Sequence, residues 1–145
     1  MKALIQRVRG ARVTVDGQVV GEINTGILVL LGVDKGDDRH QIAKLGDKIL
    51  RYRIFPDSEG RMNQSLLDID GELLIVSQFT LSATTTKGLR PSFASAAQPT
   101  QAEDLYELLV DHCKKQLRIV ETGSFGADMQ VSLTNDGPVT FMLEA

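Results

Sequence analysis

The chain has 145 residues, 42% of them hydrophobic, and a formal net charge of −3. This length and composition suit one domain with a hydrophobic core, so we expect a single domain over residues 1–145. The small negative charge excludes a general positive field for long nucleic acid, and we expect no DNA partner. Local basic clusters could still contact phosphates, for example Lys2, Arg7, Arg9 and Arg12.

Membrane, export and disulfide signals are absent from the sequence. No apolar run approaches the ~20 residues that span a bilayer, and charges follow soon after the N-terminus. One cysteine, Cys113, excludes an internal disulfide and a multi-cysteine metal site. We therefore expect a cytoplasmic protein without a membrane partner.

The first part of the chain predicts strands followed by a helix. Asp16-Gly17 suits a tight hairpin, and the apolar run 26–33 is typical of a buried strand. Between Asp37 and Tyr52, apolar residues recur at helical spacing with charged residues between them. This pattern predicts an amphipathic helix with its apolar face on the sheet.

The middle of the chain predicts a central strand, a long loop and a second helix. The strand covers Glu72–Phe79, and the loop covers 82–98, which is rich in Ser, Thr, Ala and Gly. Long loops in compact domains are often functional. Thr100 and Glu103 form a capping-box pattern that predicts the start of the second helix.

The last third predicts two further strands. Residues 129–133 alternate in polarity and residues 139–143 are largely apolar. Asn135-Asp136-Gly137-Pro138 contains turn-forming residues and predicts a break between these strands. Gly137-Pro138 reads as a simple turn, and the sequence leaves the isomer of its peptide bond open.

Side chains that usually perform nucleophilic or metal-assisted catalysis are poorly placed. The two histidines, His40 and His112, both fall on predicted helices, the first solvated and the second on an apolar stripe. Cys113 reads as a small buried hydrophobic residue. No His, Cys or carboxylate spacing suits a metal, so we expect neither a metal nor another cofactor.

The predicted loop carries a second candidate site. Lys87 and Arg90 read either as solvated loop cations or as part of a phosphate or nucleoside site. Gly88 would let a ligand approach the backbone, and Phe93 could stack on a base. The sequence leaves both interpretations open.

Three motifs in order closely resemble the D-aminoacyl-tRNA deacylase family, and the resemblance spans the whole chain. They are Ser77-Gln78-Phe79-Thr80-Leu81, Lys87-Gly88-Leu89-Arg90-Pro91-Ser92-Phe93 and Asn135-Asp136-Gly137-Pro138-Val139-Thr140. The resemblance implies a homodimeric α/β fold with a barrel-like sheet and two main helices. It also implies hydrolysis of the ester that joins a D-amino acid, or glycine mischarged on tRNA-Ala, to the 3′ end of tRNA.

The resemblance further implies the site residues. Ser77, Gln78, Phe79 and Thr80 would form the catalytic pocket, while a cis Gly137-Pro138 would enter the partner subunit's pocket and exclude L-amino acids. Lys87 and Arg90 would bind substrate, and Phe125 and Met129 would shape an adenosine pocket, although both also read as core residues.

The expected mechanism uses the substrate in place of a protein base. The 2′-hydroxyl beside the ester would assist hydrolysis, and backbone N–H groups near Phe79 and Thr80 would polarise the carbonyl. Thr80 as a direct nucleophile is the rival mechanism. Two other functions stay open: a non-catalytic RNA- or nucleotide-binding module, and a Thr-dependent hydrolase of small esters.

Overall fold

A long N-terminal strand organises the sheet. In the computed structural model, which describes residues 1–145, this strand, β1, covers Lys2–Val15. One edge of β1 pairs antiparallel with the C-terminal strand β8, Gln130–Glu144. The other edge pairs with β3 (Gly26–Gly32) over its first half and with β2 (Gln18–Ile23) over its second half. The two ends of the chain therefore form adjacent strands.

The elements between β3 and β8 complete the sheet and add the helices. In chain order they are α1 His40–Arg51, β4 Phe55–Pro56, β5 Met62–Gln64, β6 Glu72–Ser77, a 3-10 helix Phe79–Ser82, α2 Pro99–Lys114 and β7 Val120–Thr122. β6 lies parallel to β3 and to β7. β4 and β5 form a separate antiparallel ribbon. The main sheet has the order β2-β1-β3-β6-β7, with β8 on the remaining edge of β1.

The sheet curls until β2 and β7 almost meet. A Cβ atom at Gly21 in β2 would lie 2.2 Å from the carbonyl oxygen of Thr122 in β7. Only glycine permits so close an approach of two backbones. The predicted barrel-like sheet with two helices is therefore confirmed.

The two faces of the sheet bury separate sets of side chains. Ile27, Leu73 and Ile75 belong to the larger cluster of 24 buried residues, which also contains the apolar faces of α1 and α2. Leu28 and Leu74, their neighbours in sequence, belong to a cluster of 7 residues on the opposite face. This alternation follows from the two-residue period of a strand. Because α1 and the sheet share the larger cluster, the prediction that α1 packs on the sheet is confirmed.

The predicted hairpin at Asp16-Gly17 is confirmed. Val15 pairs with Gln18, and both intervening residues have positive φ, 50° at Asp16 and 77° at Gly17. Positive φ at both central residues is the geometry of the type I′ turn that Asp-Gly favours.

Two predicted element starts or ends differ in the structure. Strand β6 ends at Ser77, since the chain turns into the 3-10 helix at Phe79. The capping-box prediction is wrong, because α2 begins at Pro99 and no side chain caps it. Proline suits the first position of a helix, so the helix starts there and Thr100 lies inside its first turn.

The predicted break between the two C-terminal strands is also wrong. Strand β8 is continuous, but its pairing with β1 changes register where the break was expected. Val8 pairs with Asn135 and Gln6 with Thr140, so residues 136–139 lie opposite Arg7 alone. Turn-forming residues here make a bulge within one strand.

Candidate active site

The segment after β6 is attached to β3 by backbone pairing. Leu31 pairs with Ser77 in the parallel ladder, and the Gln78 N–H donates to the Leu31 carbonyl at 2.8 Å. The side-chain amide of Gln78 donates to the hydroxyl of Thr80. The start of the 3-10 helix is thus held from the sheet and by its own side chains.

The 3-10 helix presents backbone donors at its beginning. The N–H groups of Phe79 and Thr80 have no acceptor within the helix because they belong to its first residues. Both residues are exposed. Preorganised N–H groups of this kind can stabilise negative charge on an oxygen atom.

A cavity of about 320 Å³ opens beside the 3-10 helix. Its lining comes from β3 and the residue that follows it, β6, the 3-10 helix, the loop before α2, the start of α2 and the segment after β7: Leu31, Val33, Ser77, Phe79, Phe93, Ala96, Ala97, Gln98, Pro99, Ala102, Phe125 and Gly126. No lining residue has a titratable side chain. The cavity can therefore hold an apolar group, but its walls supply no acid or base.

Aromatic rings border the cavity on two sides. Phe79 and Phe93 lie with ring centroids 5.1 Å apart and are 59% and 42% exposed. Phe125 packs on Tyr106 at 5.9 Å. The Tyr106 hydroxyl donates to the Ile75 carbonyl at 2.7 Å, and burial raises the pKa of this phenol to about 12. Tyr106 thus supports the wall as a neutral donor.

The predicted site residues divide between the cavity and its surroundings. Ser77, Phe79 and Phe125 line it, and Gln78 and Thr80 are their immediate neighbours in the chain. Met129 does not line it.

The Met129 sulfur instead accepts the Ser124 N–H at 3.4 Å and lies close to Gly123. Its side chain packs against the smaller buried cluster. Met129 thus supports the segment leading to Phe125 from behind, which accords with its reading as a core residue.

Lys87 and Arg90 lie on an exposed loop away from the cavity lining. Thr84 and Ser92 close the base of this loop through reciprocal backbone hydrogen bonds of 2.8 and 3.0 Å. Neither cation forms an ion pair. Both are therefore available to a ligand outside the cavity.

The bulge in β8 carries the third motif, also outside the cavity. The Gly137–Pro138 peptide bond is cis, and both residues are exposed. Gly137 has a φ of 141°, which side-chain-bearing residues rarely adopt, and a Cβ there would lie 2.6 Å from Cγ2 of Val139. The position requires glycine.

Side chains hold the shape of the bulge. The Asn135 carboxamide accepts the Val139 N–H at 2.7 Å and donates to the Thr140 hydroxyl at 2.8 Å. Arg7 donates to the Asp136 carbonyl at 2.9 Å and to the Ile54 carbonyl at 2.7 Å. Arg7 therefore stabilises the bulge. It is not available to bind a phosphate, which its place in the N-terminal basic cluster had indicated as possible.

The histidines and the cysteine, which the sequence places poorly for catalysis, lie away from the cavity. His40 is almost fully exposed beside Asp38. His112 contacts Asp47 at 2.8 Å across the two helices, and hydrogen bonds from Gln116 and His112 lower the pKa of the Asp47 carboxyl. Cys113 is fully buried, which raises its thiol pKa to about 12. The structure confirms their interpretation as packing or surface residues.

Two contributions to the site were missed in the sequence. Arg7 lies 129 positions before Asp136, so its bracing role has no local signal. The cavity wall from Ala96 to Ala102 joins the end of the loop to the start of α2. Small residues on either side of Pro99 are the one local hint of a close-fitting wall.

Almost the whole chain is similar to known proteins. Residues 4–144 match the family model described as D-Tyr-tRNA(Tyr) deacylase. Proteins named D-aminoacyl-tRNA deacylase from Pseudoalteromonas translucida and Shewanella loihica are 62% and 57% identical, each over 99% of both chains. One from Pseudomonas aeruginosa is 58% identical over 100% of both chains.

Two solved structures share the fold. One, titled c-Myc DNA Unwinding Element Binding Protein, has a TM-score of 0.96 and 42% identity and covers 100% of this chain and 99% of its own. The other is titled as a structural analysis of a probable eukaryotic D-amino acid tRNA deacylase. It has a TM-score of 0.83 and 18% identity and covers 98% of this chain and 97% of its own. Neither helix of the present chain is long and apolar enough to cross a membrane.

Proposed function

Because the chain belongs to the D-aminoacyl-tRNA deacylase family, we propose that it hydrolyses the ester between a D-amino acid and the terminal ribose of tRNA. The products are the free D-amino acid and the tRNA, so the reaction is a form of proofreading. We extend the proposal to glycine mischarged on tRNA-Ala. The proposed place of action is the cytoplasm, and the proposed substrate contact is limited to the 3′ end.

One observation carries the proposed mechanism: the cavity wall contains no titratable side chain. Hydrolysis of an ester by a protein base would need such a group within hydrogen-bonding reach. The ribose offers a 2′-hydroxyl beside the ester, and we propose that this group assists the attack. The N–H groups of Phe79 and Thr80 would then stabilise the charge on the ester carbonyl oxygen.

The surroundings of the cavity suit the rest of the substrate. Ser77 and Gln78 would help to orient the aminoacyl group, since they join the cavity floor to the 3-10 helix. Phe125 would border the terminal adenosine, with Met129 supporting its segment. Lys87 and Arg90 would contact phosphates just upstream of the 3′ end.

The proposed chiral selection requires a second copy of the chain. Gly137 and Pro138 are exposed and lie outside the cavity of their own chain. In the proposed homodimer they enter the partner's cavity, where the Gly137 carbonyl approaches the substrate α-carbon. An L side chain would collide with this carbonyl, whereas a D side chain points away and glycine has none. Selection by collision is independent of side-chain chemistry, so many D-amino acids would be accepted.

The deciding experiment compares hydrolysis of D-tyrosyl-tRNA, L-tyrosyl-tRNA and glycyl-tRNA on tRNA-Ala by the purified protein. We expect rapid loss of the D-tyrosyl and glycyl esters and survival of the L-tyrosyl ester. Equal loss of all three would leave a hydrolase without the chiral selection. A sedimentation measurement of the same sample tests the homodimer.

A second substrate separates the two mechanisms. D-tyrosyl-tRNA with a 2′-deoxy terminal adenosine lacks the assisting hydroxyl, so we expect its hydrolysis to fall by at least about 10²-fold. A Thr80 nucleophile would act equally well on this substrate. A hydrolase of small esters would show the same indifference.

The competing function is nucleic-acid binding without catalysis. The 42% identical solved structure, whose title describes a DNA-element binding protein, is the observation that favours it. This alternative predicts stable RNA or DNA binding and no turnover of any aminoacyl-tRNA. The hydrolysis assay therefore distinguishes the two functions directly.

A further inference from the structure

The 3-10 helix is also held at its C-terminal end, by a side chain from the long loop. The Ser95 hydroxyl donates to the Ser82 carbonyl at 2.5 Å. Ser82 is the last residue of the 3-10 helix and is fully buried. This contact reaches the backbone of the same short helix that presents the Phe79 and Thr80 N–H groups.

The end of the 3-10 helix also rests directly on β3. A Cβ at Gly32 would lie 2.9 Å from the Cβ of Leu81 and 3.2 Å from the Oγ of Ser82. The Ser82 hydroxyl is buried there and has no hydrogen-bond partner. The side chain of Ser82 thus fills space without a polar partner, whereas its carbonyl accepts the hydrogen bond from Ser95.

Ser95 is itself fixed to the chain that continues β3. The Lys35 N–H donates to the Ser95 carbonyl at 3.0 Å, and the Ala97 N–H donates to the Val33 carbonyl at 3.0 Å. The backbone of Ser95 is therefore held on the sheet while its hydroxyl holds the 3-10 helix. The same short segment includes Phe93, whose ring packs on Phe79.

We propose that Ser95 is a positioning residue for ester hydrolysis, which acts by holding the 3-10 helix at the angle that aims the Phe79 and Thr80 N–H groups at the substrate carbonyl. This inference rests on the proposed function. Ser95 does not line the cavity, so it supports the donors without touching the substrate. Its loss should therefore slow the chemical step and leave substrate binding nearly unchanged.

The hydroxyl can be isolated with a pair of variants of equal shape. Ser95→Thr keeps the hydroxyl and adds a methyl group. Ser95→Val has nearly the same shape and volume as Ser95→Thr but carries a methyl group in place of the hydroxyl. Ser95→Ala removes the hydroxyl without adding bulk. Ser92→Ala is the control on the same loop, because the exposed Ser92 hydroxyl makes only a 3.4 Å contact with the Ala94 N–H.

We expect Ser95→Val and Ser95→Ala to lower kcat on D-tyrosyl-tRNA by about tenfold with KM changed less than about twofold. Ser95→Thr and Ser92→Ala should retain kcat within about twofold. Equal kcat for Ser95→Thr and Ser95→Val would overturn the proposal, as would a loss expressed in KM alone.

The activity of the wild-type protein separates a failure of the proposed ester hydrolysis from a failure of the proposed role of Ser95. If wild type fails to hydrolyse D-tyrosyl-tRNA, the proposed function is wrong. If wild type is active and the valine variant matches it, only the role of Ser95 is wrong. Amide hydrogen exchange adds a readout without catalysis. The Ala83 N–H donates to the Thr80 carbonyl at 3.1 Å, so it should exchange faster in Ser95→Val than in Ser95→Thr, and equal rates would contradict the proposal.

Discussion

The first and third motifs, in the 3-10 helix after β6 and in the bulge of β8, are held in opposite ways. The 3-10 helix after β6 is held from outside through its backbone, since the Gln78 N–H donates to the Leu31 carbonyl and the Ser82 carbonyl accepts from Ser95. The bulge in β8 depends on side chains, since Arg7 and Asn135 hold carbonyl and N–H groups that the ladder leaves unpaired. Side chains should therefore be more replaceable in the first segment than in the second.

The segments also differ in what lies beside them. The 3-10 helix borders the cavity of its own chain, whereas Gly137 and Pro138 project from an exposed bulge and do not line that cavity. A rigid, exposed segment built by several specific side chains is more than a turn requires. The contrast supports separate tasks, with chemistry at the 3-10 helix and selection at the bulge, and the following predictions test it.

Gly137→Ala should give the largest change in selectivity. The new Cβ would lie 2.6 Å from Val139 Cγ2 at a φ of 141°, so the bulge must shift and redirect its carbonyl. A displacement of about 1 Å at a reacting centre can cost about 10²-fold, and we expect a similar fall in the ratio of D- to L-tyrosyl-tRNA hydrolysis. Gly36→Ala is the control, since open space surrounds Gly36. An unchanged ratio would remove the bulge from chiral selection.

Arg7→Met should weaken both the bulge and the fold. It leaves the carbonyls of Asp136 and Ile54 without their donors, and the Arg7 side chain is only 12% exposed. We expect the free energy of unfolding in urea to fall by about 2–3 kcal/mol and the D-to-L ratio to fall about tenfold.

The matched control for Arg7 is Arg9→Met. Arg9 contacts the same residue, Asp136, but its side chain is 76% exposed. Exposed ion pairs contribute little, so the free energy of unfolding should change by less than about 0.5 kcal/mol. Equal effects of the two substitutions would mean that charge near Asp136, and not the bracing contact, matters.

Asn135→Ala tests the bulge from its other side. The substitution removes the acceptor for the N–H of Val139, a residue that is 6% exposed, and we expect a loss of about 1–2 kcal/mol in unfolding free energy. Asn63→Ala provides a surface comparison, because its contacts with Arg53 and Asp57 are exposed. Comparable stabilities for the two variants would show that the bulge does not need the carboxamide.

The same contrast explains which parts of the molecule the sequence predicts. The 26–33 strand and the β6 strand are continuous apolar runs, because both of their faces are buried. Helix α1 has a helical repeat, because only one of its faces is buried. The cavity floor could be anticipated for the same reason, since Ser77 ends a recognisable apolar strand. The hairpin at Asp16-Gly17 likewise has its whole signal within a few residues.

The bulge and its bracing could not be predicted in this way. Asn135 to Pro138 has the composition of a turn, and only pairing with β1 keeps the strand continuous. Arg7 resembles its exposed neighbour Arg9 in sequence, and its buried partners lie far away in the chain. Long-range pairing overrides local preference at both places, which is common where a fold builds a functional segment.

Thr80→Ala, in the 3-10 helix, should have the smallest effect on function of these substitutions. If the 3-10 helix acts through its backbone, loss of the Thr80 hydroxyl removes only its contact with the Gln78 side chain. We expect kcat on D-tyrosyl-tRNA to fall by less than about tenfold, well short of the ~10²–10³ typical of a lost oxyanion donor. Thr86→Ala on the exposed loop controls for the lost hydroxyl. A fall beyond about 10⁴-fold would instead identify Thr80 as a nucleophile, because deletion of a nucleophile has that magnitude, and the 2′-hydroxyl would then lose its assigned role.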